Sequence, residues 1–301
     1  MKKEKGRSDV RKNEVRRAEA KRPGPRRAEA GKTESNRTEE VRDDLLVGRH
    51  PVLEALKGKR SINKIIVAKG SKEGSIREIL AIAKEQSIPT IEVERSALDI
   101  QSATKNHQGV IAFVSSAAYV DIADILEIAR AKGESPFVLI LDGLEDPHNV
   151  GALLRTAECA GVHGVILPKR RGVGVTSTVA KAAAGATEHL AIARVTNLVM
   201  AVEELKKAGL WIVGSVVEGE KPYYEQDFSG SLGLIVGSEG KGISRLLQSK
   251  CDFLVTIPMT GKVQSLNASV AGALLMFERM RIKEKSQKNQ SELAHARHPD
   301  R

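Results

Sequence analysis

Three stretches of the chain place polar and small residues where a strand gives way to a helix. The first, Leu141-Asp142-Gly143-Leu144-Glu145-Asp146-Pro147-His148-Asn149-Val150-Gly151, opens a helix that goes on to carry Arg155 and Glu158. Asn149 falls at the helix N-terminus, where unpaired N–H groups and the helix dipole favour an anion. Arg155 stands about one and a half turns further on, among the apolar positions Ala152, Leu153, Leu154 and Ala157. On spacing alone, an N-cap Asn and a surface Arg explain this stretch better than a nucleotide site does. The second stretch, Gly237-Ser238-Glu239-Gly240-Lys241-Gly242, follows the strand LGLIV. Its glycines permit close backbone approach or positive φ, but the order fits neither a phosphate loop nor a dinucleotide fingerprint. A tight turn accounts for the glycines and leaves Glu239 unexplained. In the third, Ile257-Pro258-Met259 ends a strand and Ser265-Leu266-Asn267-Ala268-Ser269-Val270-Ala271 begins a helix of small residues. Ser265 or Asn267 can cap that helix, its small residues let a ligand or another backbone lie close, and Met259 reads first as core filler.

Other chemistry is poorly supported. Cys159 and Cys251 are the only cysteines and lie far apart, outside any Cys/His cluster. Neither a disulfide framework nor a zinc site follows, and a reducing cytoplasmic setting fits. The seven histidines show no metal-like spacing, and no Ser-His-Asp or Cys-His arrangement is recognisable. His148, beside Asn149, is placed to touch a substrate without acting as a base. His107, in Asn106-His107-Gln108-Gly109, either touches RNA or closes a turn. Gly172-Val173-Gly174 with Ser177 lacks the third glycine of a dinucleotide motif.

The elements that must position these residues form an α/β pattern. Residues 1–43 are rich in Lys, Arg and Glu and nearly free of large apolar side chains, so they read as a disordered basic tail. This tail repeats Arg16-Arg17-Ala18-Glu19-Ala20 as Arg26-Arg27-Ala28-Glu29-Ala30. Residues 44–116 alternate strands (63–68, 91–93, 110–114) with helices (51–56, 76–84, and one that Ser96 can cap). Residues 117–136 connect, with a helix over 122–131 stopped by Gly133. Residues 137–285 carry strands at 137–141, 164–167, 190–193, 211–216, 232–236 and 253–257. Helices fall between them at 150–160, 176–184, 197–208, 243–249 and 267–281. Gly161 and Gly209 stand where helix C-caps belong. Short, wholly apolar strands separated by helices imply a mostly parallel sheet. Residues 286–301 read as a flexible tail. No apolar run is long enough to span a bilayer, and no secretory signal opens the chain. The net charge of +10 suits RNA or DNA ahead of an anionic membrane. Aromatics are only 3% of residues, which argues against a module that grips single strands by base stacking.

Taken together, the three stretches resemble the SpoU (TrmH) family of RNA ribose 2′-O-methyltransferases, part of the SPOUT superfamily. DPHNVGALLRTAECAG is similar to the family's first motif, IVGSEGKG to its second and IPMTGKVQSLNASVA to its third, in the right order. The likeness covers about 137–282. Residues 44–116, with LLVGRHPVLEAL and NHQGVIA, resemble the accessory RNA substrate-binding domain, which has an L30e-like fold. The RlmB-type subgroup, which methylates a guanosine of large-subunit (23S) ribosomal RNA, is the most similar.

The resemblance implies a SPOUT-type catalytic domain with a C-terminal trefoil knot. Pattern reasoning alone gives an open doubly wound sheet, since true knots are essentially absent among folds. It further implies S-adenosylmethionine (SAM) as methyl donor, no metal, ribosomal RNA or a pre-ribosomal particle as partner, and a homodimer with its site near the subunit interface. Carried over by position, the donor site comprises Gly237, Ser238, Gly240, Ile257, Pro258, Met259, Ser265, Leu266 and Asn267. The catalytic group comprises Asn149, Arg155, Glu239, Ser265 and Asn267, with Glu239 expected to hold Arg155 or Asn149. RNA contacts are expected from Arg49, His107, His148, Lys169, Arg170 and Arg171. Methylation of transfer RNA and a non-catalytic role in ribosome assembly are the competing readings. A dehydrogenase or NTPase is disfavoured by the missing phosphate-binding spacings.

Overall fold

The computed structural model describes residues 44–71, 74–102, 106–263 and 265–297, with side chains described as far as Lys288. The expected basic tail at 1–43 lies outside the described residues. The N-terminal layer runs β1 (Leu45–Val47), α1 (Arg49–Lys57), β2 (Ile62–Ala68), α2 (Ser75–Glu85), β3 (Thr90–Val93), α3 (Arg95–Ser102) and β4 (Val110–Val114). Its sheet has the order β1-β4-β2-β3. β2 pairs parallel with β3 and antiparallel with β4, and β1 pairs antiparallel with β4. The apolar periodicity of α2 is realised as Ile76, Ile79 and Ala83, all buried against β2 and β4 residues. One local expectation is overturned, and one strand lies outside the expected pattern. Ser96 lies inside α3, which begins at Arg95, so it is not a cap. β1 carries no alternating pattern and is only three residues long, too little for periodicity to reveal.

The connecting helix α4 (Ile122–Ala131) occupies its expected span. The Asp124 carboxylate accepts the Asp121 N–H at its start (2.8 Å), and Gly133 takes positive φ after its end. The second layer follows: β5 (Phe137–Asp142), α5 (Pro147–Cys159), β6 (Gly164–Pro168), α6 (Ser177–Ala183), β7 (Ala191–Val195), α7 (Leu198–Lys207), β8 (Trp211–Ser215), β9 (Lys221–Pro222), β10 (Leu232–Gly237), α8 (Arg245–Gln248), β11 (Phe253–Thr256) and α9 (Ala268–Arg297). The seven strands are ordered β7-β6-β5-β10-β8-β11-β9, and every pairing is parallel. Leu139, Leu141, Leu234 and Val236 fill one face of this sheet, and Val138, Ile140 and Ile235 the other. That two-sided burial is why the strands read as continuous apolar runs. From β5 the chain builds β6 and β7 outward on one side, and from β8 onward it builds the other. β5 and β10 therefore meet where the direction of winding reverses. In open parallel sheets, the crevice beyond the strand C-termini at such a point is where ligands bind.

The C-terminus differs from expectation. α9 continues to Arg297 in place of a flexible tail beginning at 286. Between Ala273 and Arg297 the sequence has neither Gly nor Pro and is dominated by Lys, Glu, Gln, Arg and Ala, residues that favour a helix despite their polarity. Among the described residues, no helix is long and apolar enough to cross a membrane.

Candidate active site

The first turn of α5 is capped by Asp146, whose carboxylate accepts the His148 N–H (2.9 Å), with Pro147 at the first helical position. Asn149 is thus not the cap, and its carboxamide is released for other work. That work is done beyond the ends of β5 and β10. Asn149 Nδ2 donates to Glu239 Oε1 (3.2 Å), and Asn267 Nδ2 donates to Asn149 Oδ1 (2.8 Å) and to Glu239 Oε1. The Ala268 N–H donates to the same Glu239 oxygen (3.2 Å). Asn267 also caps α9, its Oδ1 accepting the N–H groups of Ser269 (2.9 Å) and Val270 (3.4 Å). One carboxylate therefore ties together all three polar stretches, although the first and the last lie 118 residues apart. It sits at the N-terminus of α9, where the helix dipole favours negative charge.

The Glu239 loop is a tight turn closed by Gly242 N–H donating to Ser238 O (2.7 Å). A Cβ on Gly237 would drive into the backbone of Gly242 and Ile243, so only glycine fits there. Asp142, at the end of β5, accepts the Ser244 N–H (2.7 Å) and fixes the far side of the same loop. The loop is a tight turn, and the turn makes a wall.

Against that wall lies a cavity of about 480 Å³. Of the expected donor-site residues, Gly237, Ser238, Gly240, Ile257, Met259, Ser265 and Leu266 line it, and so does Glu239 of the expected catalytic group. Pro258 is exposed and not part of the lining, and Asn267 belongs to the hydrogen-bonded cluster beside it. The segment Ser215–Glu218 at the end of β8 also lines the cavity, and sequence reasoning missed it. Its only signal is that it follows a strand next to the winding reversal. A second hollow of about 270 Å³ shares Ser238, Glu239, Gly240, Lys241 and Ala268 with the first. Gly143, Leu144, Glu145, Asp146 and Asn149 complete it. The Glu239 loop thus borders two adjoining spaces.

The remaining expected residues divide. Arg155 is exposed on α5, and among the described residues it makes no hydrogen bond or ion pair. Six residues beyond Asn149 is about 240° around a helix, so the two do not share a face. Glu239 therefore holds Asn149 and not Arg155. Arg170 and Arg171 are exposed on the loop after β6, and His148 is exposed beside Asn149. Arg49 is half-buried, its Nε donating to Gln108 O (3.0 Å). Lys169 is partly withdrawn: its Nζ donates to Gln86 O (3.1 Å), and burial pushes its pKa down. His107 is corrected outright. It is fully buried, accepts the Gly109 N–H at Nδ1 (3.0 Å) and donates from Nε2 to Asp99 (3.0 Å). It closes a turn and offers RNA nothing. Among the described residues, no group of three or more His, Cys, Asp or Glu side chains could hold a metal ion.

Comparison with known proteins gives a consistent picture. Residues 136–277 match the SpoU rRNA Methylase family, and residues 45–120 match the RNA 2′-O ribose methyltransferase substrate-binding family. The chain is 47% identical over 235 residues to YacO of Bacillus subtilis (strain 168), a protein assigned to the TrmH family of tRNA/rRNA methyltransferases. That match covers 78% of this chain and 94% of YacO. A protein given the same assignment in Staphylococcus aureus (strain MSSA476) is 48% identical over 238 residues, covering 79% and 96%. Among solved structures, the SpoU methyltransferase AviRb from Streptomyces viridochromogenes, crystallised in complex with AdoMet, superposes with a TM-score of 0.51. It shares 23% identity over 80% of this chain and 90% of its own, a likeness of fold.

Proposed function

The chain belongs to the SpoU (TrmH) family of RNA methyltransferases, and on that premise we propose that it methylates the ribose 2′-hydroxyl of a guanosine in large-subunit ribosomal RNA, with SAM as donor. The observation that carries this reading is the Asn149–Glu239–Asn267 cluster on the border between two adjoining cavities. The larger would hold SAM. Its size suits a small-molecule ligand, and the backbone of Gly237–Gly240 together with Ile257 and Leu266 offers amide groups and apolar contact for an adenine ring. SAM, when bound, supplies a methyl group made electrophilic by a sulfonium. The smaller hollow would receive the ribose.

A ribose hydroxyl is a poor nucleophile, so the chain's own residues must position it and let its proton leave. Asn149 is suited to positioning because both ends of its carboxamide are already committed, which fixes its orientation. Arg155 does not serve as a base, since a guanidinium stays protonated. It clamps a neighbouring phosphate and stabilises the developing alkoxide, while the proton passes to water or another group. Arg49, Arg170 and Arg171 contact RNA phosphates, which position the strand without reading its sequence. His148 contacts RNA beside the site.

The homodimer belongs to the same reading and brings the exposed Arg155 near a site at the subunit interface. It is supported by Val270, Leu274 and Phe277, which lie on one face of α9 and are 48%, 38% and 46% exposed. Phe277→Asp is expected to give a monomer by analytical ultracentrifugation, and an unchanged dimer would remove this face from the interface. The trefoil knot is likewise part of the proposal. It rests on the likeness to the family over the C-terminal layer. A cytoplasmic location completes it.

Gly237→Ala is expected to abolish SAM binding by calorimetry while the protein remains folded by circular dichroism. Binding equal to wild type would move the donor elsewhere. The function itself is tested by supplying labelled SAM with undermethylated ribosomal and transfer RNA in separate reactions. Label in large-subunit RNA is expected, and label confined to transfer RNA would overturn the substrate assignment.

A further inference from the structure

The N-terminal layer is joined to the catalytic layer by more than the chain between them. The described residues fall in one compact unit, and Asn63 of β2, 4% exposed, stands at the seam. Its Nδ2 donates to Val114 O in its own sheet (3.2 Å) and to Val175 O in the catalytic layer (3.2 Å). Its Oδ1 accepts from Tyr119 Oη (2.6 Å) and Arg194 (3.2 Å), and its main-chain oxygen accepts from Arg194 (2.8 Å). A carboxamide has two donors and room for two acceptors, and every one is used. Tyr119 Oη in turn accepts the Val175 N–H (2.9 Å). A Cβ on Gly174 would strike the Asn63 carboxamide, so the fit there requires glycine.

Arg194, on β7, completes the seam. It also donates to Lys169 O (3.2 Å) and lies over the Tyr119 ring. No carboxylate among the described residues pairs with it. Withdrawing a guanidinium from water without an anion is a costly way to gain stability, and the arrangement makes better sense as a means of fixing orientation.

What the joint holds is the loop from Lys169 to Thr176. At its back, Lys169, Gly174 and Val175 meet the N-terminal layer, as above, with Lys169 Nζ on Gln86 O. At its front, the Val173 N–H donates to Leu144 O (3.0 Å), and Leu144 lines the smaller hollow beside Asn149. The exposed Arg170 and Arg171 lie on this same loop. Accepting the function proposed above, we propose that Asn63 is a positioning residue for methyl transfer: the joint it centres locks the N-terminal layer and the 169–176 loop into one rigid RNA-gripping surface registered against the ribose pocket.

Asn63→Ala should leave each layer able to bind RNA but free to turn. A reacting group displaced by about 1 Å loses rate on the order of 10²-fold. The expected result is therefore a kcat lower by about 10²-fold, with the SAM Kd and the RNA KM near wild type. Tyr119→Phe, which removes two hydrogen bonds and keeps the ring, should give a smaller loss of the same kind and guards against a folding defect in the first variant. Orientation is read directly by electron-spin distance measurement between labels at Glu92→Cys and Met200→Cys, in a Cys159→Ser background diluted with unlabelled protein. Burial pushes the Cys251 thiol up to about 12, which keeps it out of the labelling. A narrow distribution that broadens in Asn63→Ala is expected. A broad distribution in the parent protein, or a broadened variant with unchanged kcat, would overturn the proposal. If the wild type methylates no RNA, the functional reading falls and the positioning role with it, while the distances still decide whether the joint is rigid.

Discussion

Glu239→Ala is expected to lower kcat by about 10²-fold, the scale of loss for a displaced reacting group. One Glu239 oxygen accepts from Asn149, Asn267 and the Ala268 N–H. Without it the Asn149 carboxamide keeps only its contact with Asn267 and becomes free to rotate, and the α9 N-terminus loses a favourable charge. Glu239→Gln preserves the shape and can turn its one acceptor oxygen to all three donors, but it removes the charge that strengthens those bonds, so an intermediate loss is expected. Pre-steady-state methyl transfer at saturating RNA and SAM separates this effect from binding. A transfer rate for Glu239→Ala equal to wild type would show that the cluster is a loop clasp with no part in the chemistry.

Arg155→Lys is expected to cost about as much, on the order of 10²-fold in kcat, by losing an electrostatic donor aimed at developing charge. The charge survives the substitution, but the planar fork that can grip a phosphate in two places does not. SAM affinity should be unchanged, because Arg155 does not line the donor cavity. Near-normal turnover by the lysine variant would refute the clamp and reopen the question of what stabilises the alkoxide. The two variants probe different things: Glu239 acts by holding Asn149, whereas Arg155 is held by nothing among the described residues and can act only on what binds.

Much of this was legible in the sequence for identifiable reasons. The strands of the catalytic layer are buried on both faces, so their apolar runs stand out, and Gly161 and Gly209 mark helix ends with positive φ as glycines at that position do. The α4 span follows from apolar spacing between an acidic start and Gly133. Spacing could not show that Glu239, Asn149 and Asn267 meet, because that depends on which strands end side by side, and the reversal between β5 and β10 is a property of the whole sheet. For the same reason His107 invited an RNA role. A polar tetrapeptide before a strand looks exposed until the Asp99 side chain and the Gly109 N–H are found on its ring. Asn63 is not legible in the sequence, because a single Asn in an apolar strand carries no pattern and its four partners come from positions up to 131 residues away. At the polar end of α9, charge suggests disorder, but the absence of Gly and Pro is the better guide and the helix continues.

The central claim is that the cluster beside the smaller hollow presents a ribose hydroxyl, and not a base, to the donor. It is tested most directly by digesting RNA methylated with labelled SAM and identifying the product by mass spectrometry and alkaline cleavage. A 2′-O-methyl group blocks alkaline cleavage of the adjoining phosphodiester, so the account predicts 2′-O-methylguanosine recovered in an alkali-resistant dinucleotide from large-subunit RNA. Label on a base, released by alkali as a mononucleotide, would contradict it.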